Sequence, residues 1–211
     1  MRGIGVAGGI GLGKVFIYEK IDLNIEKILT EDMDLEIERL KDAIKRAKDE
    51  IENLYHISLD KMGREEADIF LAHKMLLDDP EYMGTIKEKI LSDKINSEWA
   101  IKEVTDFYID IFDKMDDGYM KERVADLKDV SQRLLRKLLK IENKDLGNIE
   151  KDTIIIAEDL APSDTAQINK QMIAGIVTEI GGRTSHTAIM ARTMDIPGIS
   201  GIRDIRKKLK D

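Results

Sequence analysis

The chain has three histidines, and only one of them stands in surroundings suited to chemistry. His186 lies within Gly181-Gly182-Arg183-Thr184-Ser185-His186-Thr187-Ala188-Ile189-Met190-Ala191-Arg192, where a β-like run ends in two glycines and a helical pattern follows. Such a junction aims backbone N–H groups and the positive end of a helix dipole at one spot, which favours an anion. A neutral imidazole there can attack phosphorus, with the N–H groups and the hydroxyls of Thr184, Ser185 and Thr187 available to phosphoryl oxygens. Small residues at 181, 182 and 188 leave room for a bulky phosphorylated donor. Taken alone, a histidine beside a helix start is more often a polar cap or surface residue. His56, next to Tyr55, reads as an exposed helical side chain. The histidines are scattered and there is no cysteine, so neither a zinc cluster nor a thiolate nucleophile is visible.

The elements that must position His186 follow from periodicity. Residues 1–20 alternate short β-like stretches, Ile4 to Ala7 and Lys14 to Tyr18, with glycines, and read as strand, turn, strand. From about Thr30 the apolar residues Met33, Ile37, Leu40, Ile44, Ala47, Ile51 and Leu54 recur at steps of four and three, which predicts a long helix ending at Gly63. Further helices are expected through Ala67 to Met75, through Met83 to Ile90, from Asn96 or Ser97 to a break at Asp116-Asp117-Gly118, and through Val124 to Leu138. After Leu146 the texture changes to strand (Thr153 to Ala157), helix start (Pro162-Ser163-Asp164), strand (Ile173 to Thr178), helix (Arg183 to Met194) and strand (Pro197 to Gly201). The β material of residues 1–20 would be an orphan outside this layer. The expected architecture is therefore α+β: a discontinuous α/β domain, 1–20 and 146–211, interrupted by a helical bundle over 21–145.

Composition limits the possible partners. The chain has 211 residues, 42% hydrophobic and 36% charged, with a formal net charge of −8. Nucleic-acid backbones require clustered Lys and Arg, so that partner class is set aside, and a basic protein partner is easier to accommodate. No apolar run reaches bilayer length and no signal-peptide core opens the chain, which reads as cytoplasmic. The run Gly8-Gly9-Ile10-Gly11-Leu12-Gly13-Lys14 is no phosphate loop, because Val15 stands where a magnesium-binding hydroxyl would be needed.

The string from Gly181 to Arg192 resembles the phosphorylation-site signature of the phosphoenolpyruvate-utilising enzymes. Within them the chain is most similar to the amino-terminal domain of enzyme I of the bacterial sugar phosphotransferase system. Gly3 to Lys14, Ala67 to Pro80, Tyr119-Met120-Lys121-Glu122-Arg123 and Leu160-Ala161-Pro162-Ser163-Asp164-Thr165-Ala166 carry that resemblance over nearly the whole length. It implies that His186 takes a phosphoryl group from phosphoenolpyruvate at Nε2 and passes it to a histidine of the small phosphocarrier HPr. Thr165 would orient the imidazole by holding one ring nitrogen and leaving the other as nucleophile, with Arg183, Thr184 and Ser185 around it. The helical insert would dock HPr through Glu65, Asp68, His73, Met75, Leu76, Asp79, Tyr82 and Arg123, acids steering a basic partner and apolar contacts holding it. Arg64 and Pro80 stand where relatives carry acids.

The resemblance also implies a further barrel domain, binding phosphoenolpyruvate and Mg2+ and forming a homodimer, beyond the residues present. The α/β layer is expected to be truncated at its carboxyl end. Without the barrel, the expectation is a monomer that needs no cofactor and exchanges phosphate with HPr but accepts none from phosphoenolpyruvate. Two rivals remain: the swivelling phosphohistidine domain of a dikinase, which has no need of so long a helical insert, and a helical adaptor, which leaves the histidine string unexplained.

Overall fold

The computed structural model describes residues 2–115, 118–141 and 146–209, with the side chains of 118, 119, 121 and 122 outside the description. The Asp116-Asp117 break, much of the Tyr119 to Glu122 string and the boundary at 145 and 146 thus fall wholly or partly outside the described residues.

The chain forms two compact units, 1–21, 57–67 and 144–211 in one and 22–56 and 68–143 in the other. The first is built on a five-stranded sheet in the order β1-β5-β4-β3-β2. Its strands are β1 (Ile4–Ala7), β2 (Lys14–Tyr18), β3 (Thr153–Ala157), β4 (Ile173–Thr178) and β5 (Gly198–Ser200). Strands β2 to β5 are parallel and β1 is antiparallel to β5. The amino-terminal strands therefore join the later ones in a single sheet. They do not pair with each other: they lie at opposite edges, and the glycine run crosses beneath the strands between them. Gly11 passes so close to the carbonyl of Ala174, and Gly13 to that of Asp152, that a Cβ at either position would overlap the oxygen. The crossing leaves the Ile10 side chain 91% exposed.

Parallel strands need crossovers, and here these are helical. Helix α6 (Pro162–Gln167) lies between β3 and β4, and α7 (His186–Thr193) between β4 and β5. Ile155, Ala157, Leu160, Ile168, Ile176, Met190 and Ile196 close the core between sheet and helices, with Met62 packed against it. The short α8 (Ile205–Lys208) follows β5, and Arg206 pairs with Glu158 and Glu179, both at 2.7 Å.

The second unit is helical. It contains most of α1 (Met33–Met62) and α2 (Arg64–Asp78), with α3 (Pro80–Asp93), α4 (Ser97–Lys114) and α5 (Gly118–Leu139). The heptad-like residues Leu40, Ala47, Ile51 and Leu54 are buried, as are Phe70, Ile86, Ile90, Ile101, Leu127 and Leu134. Trp99, the only tryptophan, lies on α4 with the Lys102 ammonium 5.4 Å from its ring.

The stretch 57–67 was expected in the helical domain and clusters instead with the α/β unit. The reason lies in its side chains. Met62 joins the α/β core, Lys61 bonds α6, and Glu66 accepts a 3.0 Å hydrogen bond from Thr193.

Candidate functional site

The site sits at the carboxyl ends of β3 and β4, where the loops of a parallel sheet gather. After β4 the chain turns through Gly181, whose φ of +103° is open to glycine and where a Cβ would press on Ser185. Ser185 caps α7: its hydroxyl donates to the Gly182 carbonyl (2.9 Å) and accepts from the Ala188 amide (3.3 Å). His186 is the first helical residue. The Ser185, Ala188 and Ile189 amides are bonded within the turn that opens the helix. Arg192, one turn and a half further on, donates to the Arg183 carbonyl (2.8 Å) and the Val6 carbonyl (3.3 Å), tethering the loop before the helix.

Thr165 reaches the same place from α6. Its hydroxyl lies 2.9 Å from Nε2 of His186 and 2.9 Å from the Pro162 carbonyl. The start of α6 is fixed by Pro162 and by Asp164, which accepts from the Ala161 amide (2.9 Å) and from the buried Tyr18 hydroxyl of β2 (2.8 Å). Tyr18 and Asp164 thus hold the turn that carries Thr165, and neither had been given that part by its place in the sequence.

The expected roles are partly redistributed. Thr165 and His186 come together, but Thr165 occupies Nε2 itself, the nitrogen expected to receive phosphate, rather than its partner. Ser185 spends its hydroxyl on the helix cap. Thr187 is buried and its hydroxyl donates toward the Leu160 carbonyl (3.2 Å) and Asp159 (3.3 Å), so of the three hydroxyls only that of Thr184 is exposed, beside the exposed Arg183. Asp159 went unnoticed in the sequence. Burial raises its carboxyl above the ordinary range, and the Leu160 amide, Lys20 and the Thr187 hydroxyl offset this only in part.

The residues expected to meet a protein partner fall in both units. Glu65 belongs to the α/β unit and is exposed; Asp68, His73, Met75, Leu76, Asp79, Tyr82 and Arg123 belong to the helical one. On α2, Asp68, Leu71, Met75 and Asp78 form an exposed stripe in which Met75 is 72% exposed, and Leu76 is partly buried beside it. Leu71 was missed although it shares the spacing. Two expectations are corrected. His73 lies on the inner stripe with Phe70 and Leu77, its ring edge-on to Phe70 and its Nε2 3.2 Å from Asp126. Tyr82 is buried with its hydroxyl 2.7 Å from Thr105, and burial pushes its pKa up to about 12. Asp79 caps α3 by accepting from the amides of Glu81 and Tyr82. Arg123 is partly buried on α5. Among the described residues, no three His, Cys, Asp or Glu side chains gather as a metal site, and no helix is long and apolar enough to cross a membrane.

Residues 2–123 match the family model of the PEP-utilising enzyme N-terminal domain, and residues 149–211 that of the PEP-utilising enzyme mobile domain. The chain belongs to the PEP-utilising enzymes. Within this family it is 44% identical to the phosphoenolpyruvate-protein phosphotransferase of Bacillus subtilis (strain 168) over 96% of the chain, and 44% identical to that of Geobacillus stearothermophilus over all of it. The chain spans 36% of the length of each of these relatives. Among solved structures, one described as the NMR solution structure of Enzyme I (nEIt) protein matches with a TM-score of 0.83 at 35% identity, covering 98% of this chain and 84% of that one. A second, described as the N-terminal domain of Enzyme 1 - Nitrogen, matches with a TM-score of 0.67 at 27% identity, covering 99% of this chain and 85% of its own. Both the α/β and the helical part of the chain are thus those of a PEP-utilising enzyme's amino-terminal region.

Proposed function

We propose that this chain is the phosphoryl-carrying portion of a phosphoenolpyruvate-protein phosphotransferase, with His186 as the carrier and the histidine of HPr as the acceptor. The observation that carries the reading is the approach of Thr165 to Nε2 of His186 at the amide-rich start of α7. A hydroxyl has one proton. Donated to the Pro162 carbonyl, it leaves the oxygen to accept from Nε2–H; donated to Nε2, it ties up that lone pair. In either arrangement Nε2 is engaged at rest, so attack on phosphorus by Nε2 requires the imidazole to turn away from Thr165.

Once turned, and with its single proton on Nδ1, the neutral ring attacks phosphorus through the Nε2 lone pair, the bond from phosphorus to the donor oxygen breaks, and the leaving enolate departs with its electron pair. The positive end of the α7 dipole and the exposed Arg183 and Thr184 would stabilise the equatorial oxygens. The reverse geometry delivers the group to a histidine of HPr. The acidic and apolar stripe of α2 suits a basic carrier with an apolar centre. In the complete enzyme, phosphoenolpyruvate and Mg2+ would bind a further barrel domain, the subunits would pair as a homodimer in the cytoplasm, and the flux would serve sugar uptake.

The test is direct. The protein is incubated with phosphorylated HPr, digested, and searched by mass spectrometry for an acid-labile phosphate on the peptide containing His186, with His186→Ala as control. Transfer lost in the control is the expected result. Labelling elsewhere, or none, overturns the proposal.

A further inference from the structure

Lys61, in the last turn of α1, directs its ammonium at three consecutive carbonyl oxygens, those of Ala166, Gln167 and Ile168, at 3.1, 3.4 and 3.0 Å. All four residues belong to the α/β unit. The carbonyls terminate α6, a helix of six residues, too short to be held by its own hydrogen bonds. The last carbonyls of any helix lack intrahelical donors and carry the negative end of its dipole, so a cation supplies both what they need as acceptors and what the dipole favours. An ammonium has three protons, and three carbonyls surround it.

The start of α6 is secured by Pro162 and the Tyr18–Asp164–Ala161 bonds, and its end by Lys61 and by the Ile168 amide, which bonds the carbonyl of Thr165 at 3.1 Å. Thr165 stands between the two clamps. Burial holds the Lys61 ammonium below the usual lysine range, in keeping with a charge drawn out of water to serve these carbonyls.

We propose that Lys61 is a positioning residue: by closing the carboxyl end of α6 it holds the Thr165 hydroxyl against Nε2 of His186 and so sets where the imidazole carries its proton. The consequence for phosphoryl transfer rests on the function proposed above; the consequence for the imidazole does not.

The experiment uses the whole chain with Lys61→Met, which keeps the apolar stem and removes the donors, Lys61→Arg, which keeps the donors, and Thr165→Val as reference. The imidazole nitrogen and proton resonances of His186 are followed by NMR through a pH titration, alongside the rate of exchange with phospho-HPr and the melting midpoint. In Lys61→Met the His186 signals should move toward those of Thr165→Val and exchange should slow about tenfold, while Lys61→Arg stays near wild type. If Lys61→Met does not fold, Lys61→Leu, shorter and likewise without donors, is read in the same way. A folded variant that has lost stability but keeps wild-type imidazole signals overturns the proposal, because Lys61 is then a structural cap only. If the wild-type protein takes no phosphate from phospho-HPr, the proposed function fails, and the imidazole signals still decide the part played by Lys61.

Discussion

The hydroxyl of Thr165 lies between a carbonyl and an imidazole with one proton to give, and around it the site is built from groups that hold one another rather than the ligand. Ser185, Thr187, Asp164 and Tyr18 all turn inward, which fixes the loop yet leaves the Thr184 and Arg183 side chains exposed beside His186. Asp159 is the most testable of the inward set. Its folded carboxyl is raised by burial, so it contributes stability that is full below the ordinary aspartate range and is lost as pH rises through the raised value. Above that raised value the ionised form is held against the cost of burial. Asp159→Asn, which still accepts from Thr187 and Leu160, should therefore match or exceed the wild type at pH about 7, by at most about 1 kcal/mol. It should also lose the wild-type gain on acidification toward about pH 4. Thermal melts of both proteins across that range would show it, and a neutral-pH loss well beyond that figure would refute the assignment. His186 itself was legible because glycines, hydroxyls and a helix start converge on it in one continuous string. Asp159 was not, because nothing in Glu158-Asp159-Leu160 records that the carboxylate folds back onto the residue after His186.

Elements were legible wherever a single side chain decides an end, and obscure where a distant one does. The ends of α1 at Gly63 and of α2 at Asp79-Pro80 follow from local chemistry. The start of α4 was expected at Asn96 or Ser97, and there it is, but Asn96 does not cap it. The Asn96 side chain accepts from the Ile28 amide and donates to the Glu26 carbonyl, while Glu36 of α1 accepts from the Ser97 amide at 2.8 Å. The Arg39 guanidinium joins Glu36 to Glu98. Burial alone would raise the Glu36 carboxyl; the Ser97 amide, the Arg39 guanidinium and the Ser97 hydroxyl outweigh it and hold it below its ordinary value. A depressed carboxyl contributes stability that is present above the unfolded-chain value of about 4.3 and is lost as pH falls through the folded one. Glu36→Gln should cost about 1.5–3 kcal/mol at neutral pH and flatten the acid limb of the stability curve. An unchanged acid limb in urea unfolding at several pH values would argue against it. The same difficulty hid His73 and Tyr82: both are polar enough to read as surface residues, yet three- and four-residue spacing puts them on the inner stripes with Phe70 and Ile86.

For the molecule as a whole, net charge and sheet order carry the argument. A formal charge of −8 gives long-range attraction to a basic carrier, screened beyond a Debye length of about 8–10 Å at physiological salt. On the proposed function, association with unphosphorylated HPr should weaken as salt rises, mainly through a slower on-rate. Stopped-flow titration at low and high salt measures this, and a salt-independent on-rate would remove steering from the account. The sheet was legible in its membership and not in its order. Short apolar strands say that they must be buried together, but the opposite-edge placement of β1 and β2 is set by Gly11 and Gly13 meeting the Ala174 and Asp152 carbonyls, long-range contacts that no local pattern encodes.

One residue of the helical unit gives the two units separate optical signatures. Trp99 is the chain's only indole, and the α/β unit, which holds Tyr18, has none. Emission excited at the red edge of the absorption band therefore originates on α4, quenched or shifted by the Lys102 ammonium above its ring. A fluorescence melt records the helical unit, far-ultraviolet dichroism is weighted toward the same helices, and neither is specific to the α/β unit that carries His186. Its own reporter is the His186 imidazole, read by magnetic resonance.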